Sequence, residues 1–184
     1  FVTYARAMVR HFKGRINHWE IYNEPNIFFW QGPKELYPVL VERCYNAIKE
    51  EDPNAQVLGG STSGIDRSFI DQLVKSDAPF DILTIHPYRG RLSEVQFINE
   101  LRATSRLVDG RSVWITEMGW PTQIGGTSQR EQAELLGRCY LSMAVSGVCD
   151  NMGWYNFRND GNDPYYNEHN FGVLNFDLSP KPAY

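Results

Sequence analysis

Trp19-Glu20-Ile21-Tyr22-Asn23-Glu24-Pro25-Asn26 and Val113-Trp114-Ile115-Thr116-Glu117-Met118-Gly119-Trp120 are built alike. Each is an apolar run rich in Val, Ile, Trp and Tyr that reaches a glutamate and then turns. Such residues favour strands, and Pro25 and Gly119 stop them. The pattern places each glutamate at the C-terminal end of a strand. Ligands meet parallel α/β sheets and barrels at those ends.

Outward from these two stretches the chain alternates. Phe1 to Gly14 reads as a helix with Ala5, Met8, Val9 and Phe12 on one face, and Gly14 as its stop. A strand follows from about Ile16 to Asn23. Leu36 to Glu51 is helical and Pro53 ends it. Gln56 to Gly60 is a short strand that dissolves into Gly and Ser. Ser68 to Lys75 is a helix, with Ser68 and Asp71 near capping-box spacing. Phe80 to Tyr88 is a strand whose centre, Ile82-Leu83-Thr84-Ile85, reads as buried on both faces. Ser93 to Val108 is a helix, and Ser112 to Met118 a strand. Ser128-Gln129-Arg130-Glu131 is a capping box that opens a helix to about Ser146. Met152 to Phe157 is the last strand, and a long polar loop follows.

Five strands separated by four helices, with one more helix in front, predict an α/β fold with parallel strands and right-handed crossovers. An open doubly wound sheet fits the order. However, no strand is followed by a Gly-rich phosphate loop; Gly59-Gly60-Ser61 lacks the G-x-G-x-x-G register. Chemistry at the ends of several strands favours a (β/α)8 barrel, whose loops converge on one mouth.

Composition narrows the rest. The 184 residues are 42% hydrophobic and 14% aromatic, which fits one globular core. The formal charge of −4 has no long runs, so no nucleic-acid partner is expected. No window resembles a membrane span. Cys44, Cys139 and Cys149 match no metal spacing and read as small buried residues; a Cys139–Cys149 pair stays open.

With these motifs placed, the chain resembles the clan-A glycoside hydrolases, family 39 and its relatives in particular. The similar pieces are the two glutamate stretches, Phe29-Trp30, His86-Pro87-Tyr88, Phe171-Gly172-Val173-Leu174, and Ser179-Pro180-Lys181-Pro182-Ala183-Tyr184. The resemblance implies a (β/α)8 TIM barrel, incomplete here. Residues 1–184 would supply strands 4 to 8, lacking the first three strands and most of the last helix. A whole barrel takes roughly 250 residues. The missing N-terminal part is then the expected partner, and the strand-2 arginine of the family has no counterpart in these residues.

The resemblance also implies roles. Glu24 is the acid/base and Glu117 the nucleophile of a retaining β-glycosidase, which needs the two carboxyl groups about 5 Å apart. Glu24 must hold a proton near neutral pH and Glu117 must be ionised. Asn23 meets the sugar 2-hydroxyl. Tyr88 donates its hydroxyl to the nucleophile, and His86 supports the site through hydrogen bonds. Trp154 stacks under the sugar and is followed by a cis peptide. Trp30 and Trp120 sit just past the two glutamate-bearing strand ends, where extension of the sugar platform and ordinary loop packing both stay open, and Asn156 and Arg158 share the strand parity of Trp154. Glu20 reads as a barrel-interior charge. Asn159-Asp160-Gly161-Asn162-Asp163 is oxygen-rich but lacks the terminal Glu of a hand-type calcium loop, so it reads as a polar loop lining the cleft. The expected substrate is an oligo- or polysaccharide, with no cofactor and no metal. By resemblance alone, the compartment is secreted or periplasmic. The alternative is a non-catalytic carbohydrate-binding or structural half-barrel, inactive without the missing strands.

Overall fold

The computed structural model describes residues 1–184. Its elements alternate as expected. They are α1 (Val2–Phe12), β1 (His18–Glu20), α2 (Tyr37–Glu51), β2 (Gln56–Ser63), α3 (Arg67–Lys75), β3 (Ile82–His86), α4 (Glu94–Leu107), β4 (Val113–Met118), α5 (Gln129–Ser146) and β5 (Cys149–Trp154). The strands form one sheet in chain order. β1 pairs parallel with β2 in the register His18–Gln56, Trp19–Val57, Glu20–Leu58, and β2 pairs parallel with β3. By compactness the chain divides into two units. The first is Phe1–His86 with Ala103–Trp114, and the second is Pro87–Arg102 with Ile115–Tyr184. No helix is long and apolar enough to cross a membrane.

In the first unit, α2 buries Tyr37, Val41, Cys44, Ala47 and Ile48, and α3 buries Phe69, Ile70 and Leu73. All five residues of β3 are buried, as a strand covered on both faces must be. α1 is fastened to the end of α2 by ions: Arg6 to Glu50 and Glu51, and Arg10 to Glu51. Those guanidinium groups, Arg10 first, pull the Glu51 carboxyl down to about 2.

Two boundaries differ from expectation. β2 runs on to Ser63 rather than dissolving at Gly60. A bulge between Gly59 and Thr62 absorbs the Gly-Ser segment, with Ser61 at φ 47° and its N–H given to Thr84 Oγ1. The cap of α3 is Asp66, not Ser68. Asp66 Oδ1 accepts from Phe69 N at 3.0 Å and from the Ser68 hydroxyl at 2.7 Å. A carboxylate at this position outcompetes a hydroxyl two residues later, because it satisfies a free helix N–H and faces the positive end of the dipole.

In the second unit Ser128 caps α5, its Oγ accepting from Glu131 N, and Gly147 closes the helix in the left-handed region. Arg138 on α5 pairs with Glu94 on α4 at 2.6 Å. Cys44, Cys139 and Cys149 are all free and buried, so the Cys139–Cys149 pair does not form. Cys139 lies instead against Met152, 3.6 Å between sulfurs.

Candidate active site

The two glutamates reach their positions differently. β1 closes at Glu20, so Glu24 stands beyond the strand rather than on it. The chain still follows the sheet for one residue, Ile21 N donating to Leu58 O. It then turns through Tyr22 at φ 72° and Glu24 at φ 44°. Left-handed non-glycine residues in succession are uncommon and need support from their surroundings. That support is visible. The buried Tyr37 hydroxyl donates to Ile21 O at 2.9 Å and accepts from Gly60 N at 3.0 Å. Asn26 donates to Ser63 O and Asp66 Oδ2 and accepts from Ser63 N. Lys34 Nζ caps the carbonyls of Pro25 and Ile27 at 2.7 and 2.6 Å.

The Glu24 side chain is buried, at 8% exposure. Its Oε1 lies 3.1 Å from Nδ1 of His86, which is itself fully buried at the end of β3. The other ring nitrogen of His86 lies 3.4 Å from Ser61 Oγ. Ser61 and Asn26 are contributions the motif reading missed. Ser61 lies in the β2 bulge and Asn26 two positions past Glu24, and neither residue type signals chemistry alone. Asn23 and Glu20 are both exposed among these residues. Glu20 sits on the exposed face of a strand only three residues long. Trp30 packs in its own loop, Nε1 donating to Pro33 O and its ring edge-on to Tyr22 at 5.2 Å.

In the second unit Glu117 lies within β4, one residue from its end. Tyr88 donates its hydroxyl to Glu117 Oε2 at 3.1 Å. The Tyr88 ring is walled by Phe171 and Tyr155, with centroids 5.9 and 6.4 Å away, and those two lie 5.2 Å from each other. Burial above all, with the negative charges of Asp160, Glu168 and Glu117, pushes the Tyr155 phenol up to about 12.

The chain leaves β4 through Gly119, where any Cβ would lie 1.9 Å from Tyr155 O. Only glycine fits so close an approach. Trp120 next to it is buried and lies 6.0 Å from the half-exposed Trp154 ring. The indole N–H groups of both are buried without a partner. Gln132 on α5 holds the loop by donating to Trp120 O and Phe171 O.

The cis peptide joins Tyr155 to Asn156, one bond later than the resemblance implies. Trp154 still closes β5, and Tyr155 N still donates to Met118 O, so regular pairing persists past that tryptophan. Asn156 gives its side-chain N–H to Asp160, 3.0 Å away. Arg158 is turned onto Phe176, donating to its carbonyl and covering its ring at 4.4 Å.

With this geometry in hand, likeness to known proteins becomes informative. The family model described as "Glycosyl hydrolase catalytic core" matches residues 52–174. That span holds His86, Tyr88, Glu117, Trp120, Trp154 and Asn156. Among solved structures, a family 39 glycoside hydrolase from the gut symbiont Bacteroides cellulosilyticus WH2 is similar. It superposes with a TM-score of 0.81 at 27% identity, over 99% of this chain and 42% of that one. A GH39 β-xylosidase from Caulobacter crescentus gives 0.74 at 22% identity, over 99% and 44%. Xylanase 10B from Thermotoga maritima gives 0.71 at 20% identity, over 99% and 62%. The latter two speak for the fold alone. No curated protein matches the sequence. The chain spans less than half the length of the first two structures. The fold is that of the TIM-barrel glycosidases, represented here by five parallel strands and their helices. Its match to that catalytic-core model over most of its length makes the chain a member of the glycosyl hydrolase catalytic core family.

Proposed function

We propose that this chain supplies the catalytic carboxylates of a retaining glycoside hydrolase that cleaves β-glycosidic bonds in oligo- or polysaccharides. The observation that carries the reading is the Tyr88 hydroxyl bond to Glu117 at a strand end of a glycosyl hydrolase catalytic core. A nucleophilic carboxylate must be ionised and fixed in direction, and a phenol hydrogen bond favours both.

In the first step Glu117 forms a bond to the anomeric carbon while Glu24 gives its proton to the departing oxygen. A covalent glycosyl-enzyme results. In the second step Glu24 takes a proton from water, the water attacks the same carbon, and Glu117 leaves with configuration retained. Such chemistry requires the two carboxyl groups roughly 5–5.5 Å apart. Glu24 is buried against His86, which fixes the direction of its carboxyl, as delivery of a proton to one particular oxygen requires. Trp154, backed by Trp120, offers the half-exposed aromatic face on which a sugar ring stacks, and Asn23 and Asn156 offer amides for hydroxyls.

Because the chain spans 42% of its family 39 relative, activity is assigned to the full-length protein, with the rest of the barrel as necessary partner. The experiment is the full-length Glu117→Ala variant on an aryl β-glycoside, with and without azide. Turnover should fall by roughly 10³-fold or more and return with azide as an α-glycosyl azide. Full turnover without azide would refute the role of Glu117. The anomer first released, followed by proton NMR, separates retention from inversion.

A further inference from the structure

The second unit carries a cavity of about 320 Å³ that shares none of the residues assigned above to catalysis or to the aromatic platform. Its lining includes Asn159, Asn162, Pro164, Asn170, Phe176 and Asp177. Asn159 is the informative residue, because it is buried to 8% exposure. Its Oδ1 is fully used, accepting from Gly172 N at 3.0 Å and from Lys181 Nζ at 2.9 Å. Those two bonds fix the amide's orientation, so Nδ2 is turned the other way with no protein partner while the residue lines the cavity. Asn170 is the complement. Its Nδ2 donates to Asp163 O and Tyr166 O, both at 2.8 Å, which leaves Oδ1 as an open acceptor.

The lining is otherwise neutral. Asp177 is its single ionisable side chain, and Asp177 Oδ1 already accepts from Ser179 N and Ser179 Oγ at 3.0 and 2.6 Å. One carboxylate is too little for calcium, which takes six to eight oxygens with several charged among them. Phe176 brings an exposed aromatic face, held by Arg158 on one side. A donor, an acceptor, the Asn162 amide and an aromatic edge match a ring with hydroxyls around its rim and C–H groups on its face. The volume sits at the lower end of the roughly 300–1,000 Å³ of small-molecule sites, room for one such ring.

We propose that the cavity between Asn159, Asn170 and Phe176 is a binding subsite for a single neutral sugar unit, separate from the cleaved bond. It depends on the glycosidase reading only for naming the polyol a sugar. The test uses the full-length protein, ¹⁵N-labelled and carrying Glu117→Gln. It is titrated with methyl β-xylopyranoside, methyl β-glucopyranoside and methyl β-galactopyranoside, each to roughly 100 mM, a range suited to millimolar binding. At least one should give saturable shifts of the Asn159 side-chain N–H₂ and the Gly161 amide. Phe176→Ala should weaken that binding about tenfold. Asn159→Asp keeps the acceptor for Lys181 and Gly172 but removes the donor, and should weaken it about fivefold. Absence of saturable shifts with all three glycosides overturns the proposal. So does a response to calcium chloride alone, or binding indifferent to both substitutions in folded protein. Failure of the azide experiment would leave this binding intact, so the two readings fail separately.

Discussion

His86 Nδ1 lies 3.1 Å from Glu24 Oε1, with Ser61 Oγ 3.4 Å from the opposite ring nitrogen. The imidazole thus has a partner at each nitrogen, which fixes its plane and the direction in which it meets the carboxyl. His86→Ala in the full-length protein should lower kcat on an aryl β-glycoside by about 10- to 100-fold with little change in KM, short of the loss expected for an acid/base itself. A variant with unaltered kcat would mean that the contact is packing alone.

Tyr88→Phe removes one hydroxyl and keeps the ring between Phe171 and Tyr155. A hydrogen bond to a charged group contributes about 1.5–3 kcal/mol. The expected outcome is a kcat loss of about 10- to 100-fold with an unchanged melting temperature, since the aromatic packing survives. A drop in melting temperature with kcat intact would reverse the assignment.

Lys181 is buried, and its Nζ donates to Thr122 Oγ1, Asn159 Oδ1 and Asn170 O. Burial lowers its ammonium to about 8 from the ordinary 10.5. The unfolded chain therefore binds more protons between about pH 8 and 10.5, and stability must rise with pH across that window. Urea unfolding of the wild type should show a gain of about 2 kcal/mol between those limits, the three acceptors offsetting part of the desolvation. Lys181→Met should flatten that contribution. A wild-type curve that falls through the window with the same slope as Lys181→Met would contradict it.

Gly119→Ala forces a Cβ onto the carbonyl of Tyr155, a backbone atom that cannot swing aside. Overpacking of this kind costs about 1–3 kcal/mol or more. Thermal unfolding should show the loss, and activity should fall with it because Glu117 lies two residues upstream. An undisturbed Gly119→Ala protein would show that the two loops separate at little cost.

Asp66→Ala should cost about 1 kcal/mol through the lost cap of α3. It also frees Asn26, whose Nδ2 donates to Asp66 Oδ2 at 3.2 Å, and so loosens the turn that carries Glu24. Asp66→Asn, which keeps the cap, should recover most of the stability. Chemical denaturation of the pair, with kcat beside it, separates the helix from the turn.

The alternation of elements was readable because apolar runs and punctuation agree in this chain. Pro53, Gly110, Gly147 and the Ser128 box all end or begin an element where the period breaks. The β2 bulge was not readable. Gly59-Gly60-Ser61 looks like a loop, yet the strand continues because Tyr37, more than twenty residues away, takes the Gly60 N–H. Asp66 lost to Ser68 in the reading because nothing local ranks two adjacent caps. At the candidate site, motif residues stand out by type and spacing. Their supporters Ser61, Asn26 and Lys34 carry no such mark, since each acts through a bond to backbone or ring that only the folded chain supplies.

Tyr37 has one more consequence. Its single hydroxyl joins the carbonyl of Ile21 to the amide of Gly60, so helix α2 ties the exit of β1 to the bulge in the middle of β2. Anyone recombining this barrel with a homologous one should move residues 18–60 as an uninterrupted cassette. A crossover placed inside it would hand each strand to a helix that had drifted alongside a different neighbour.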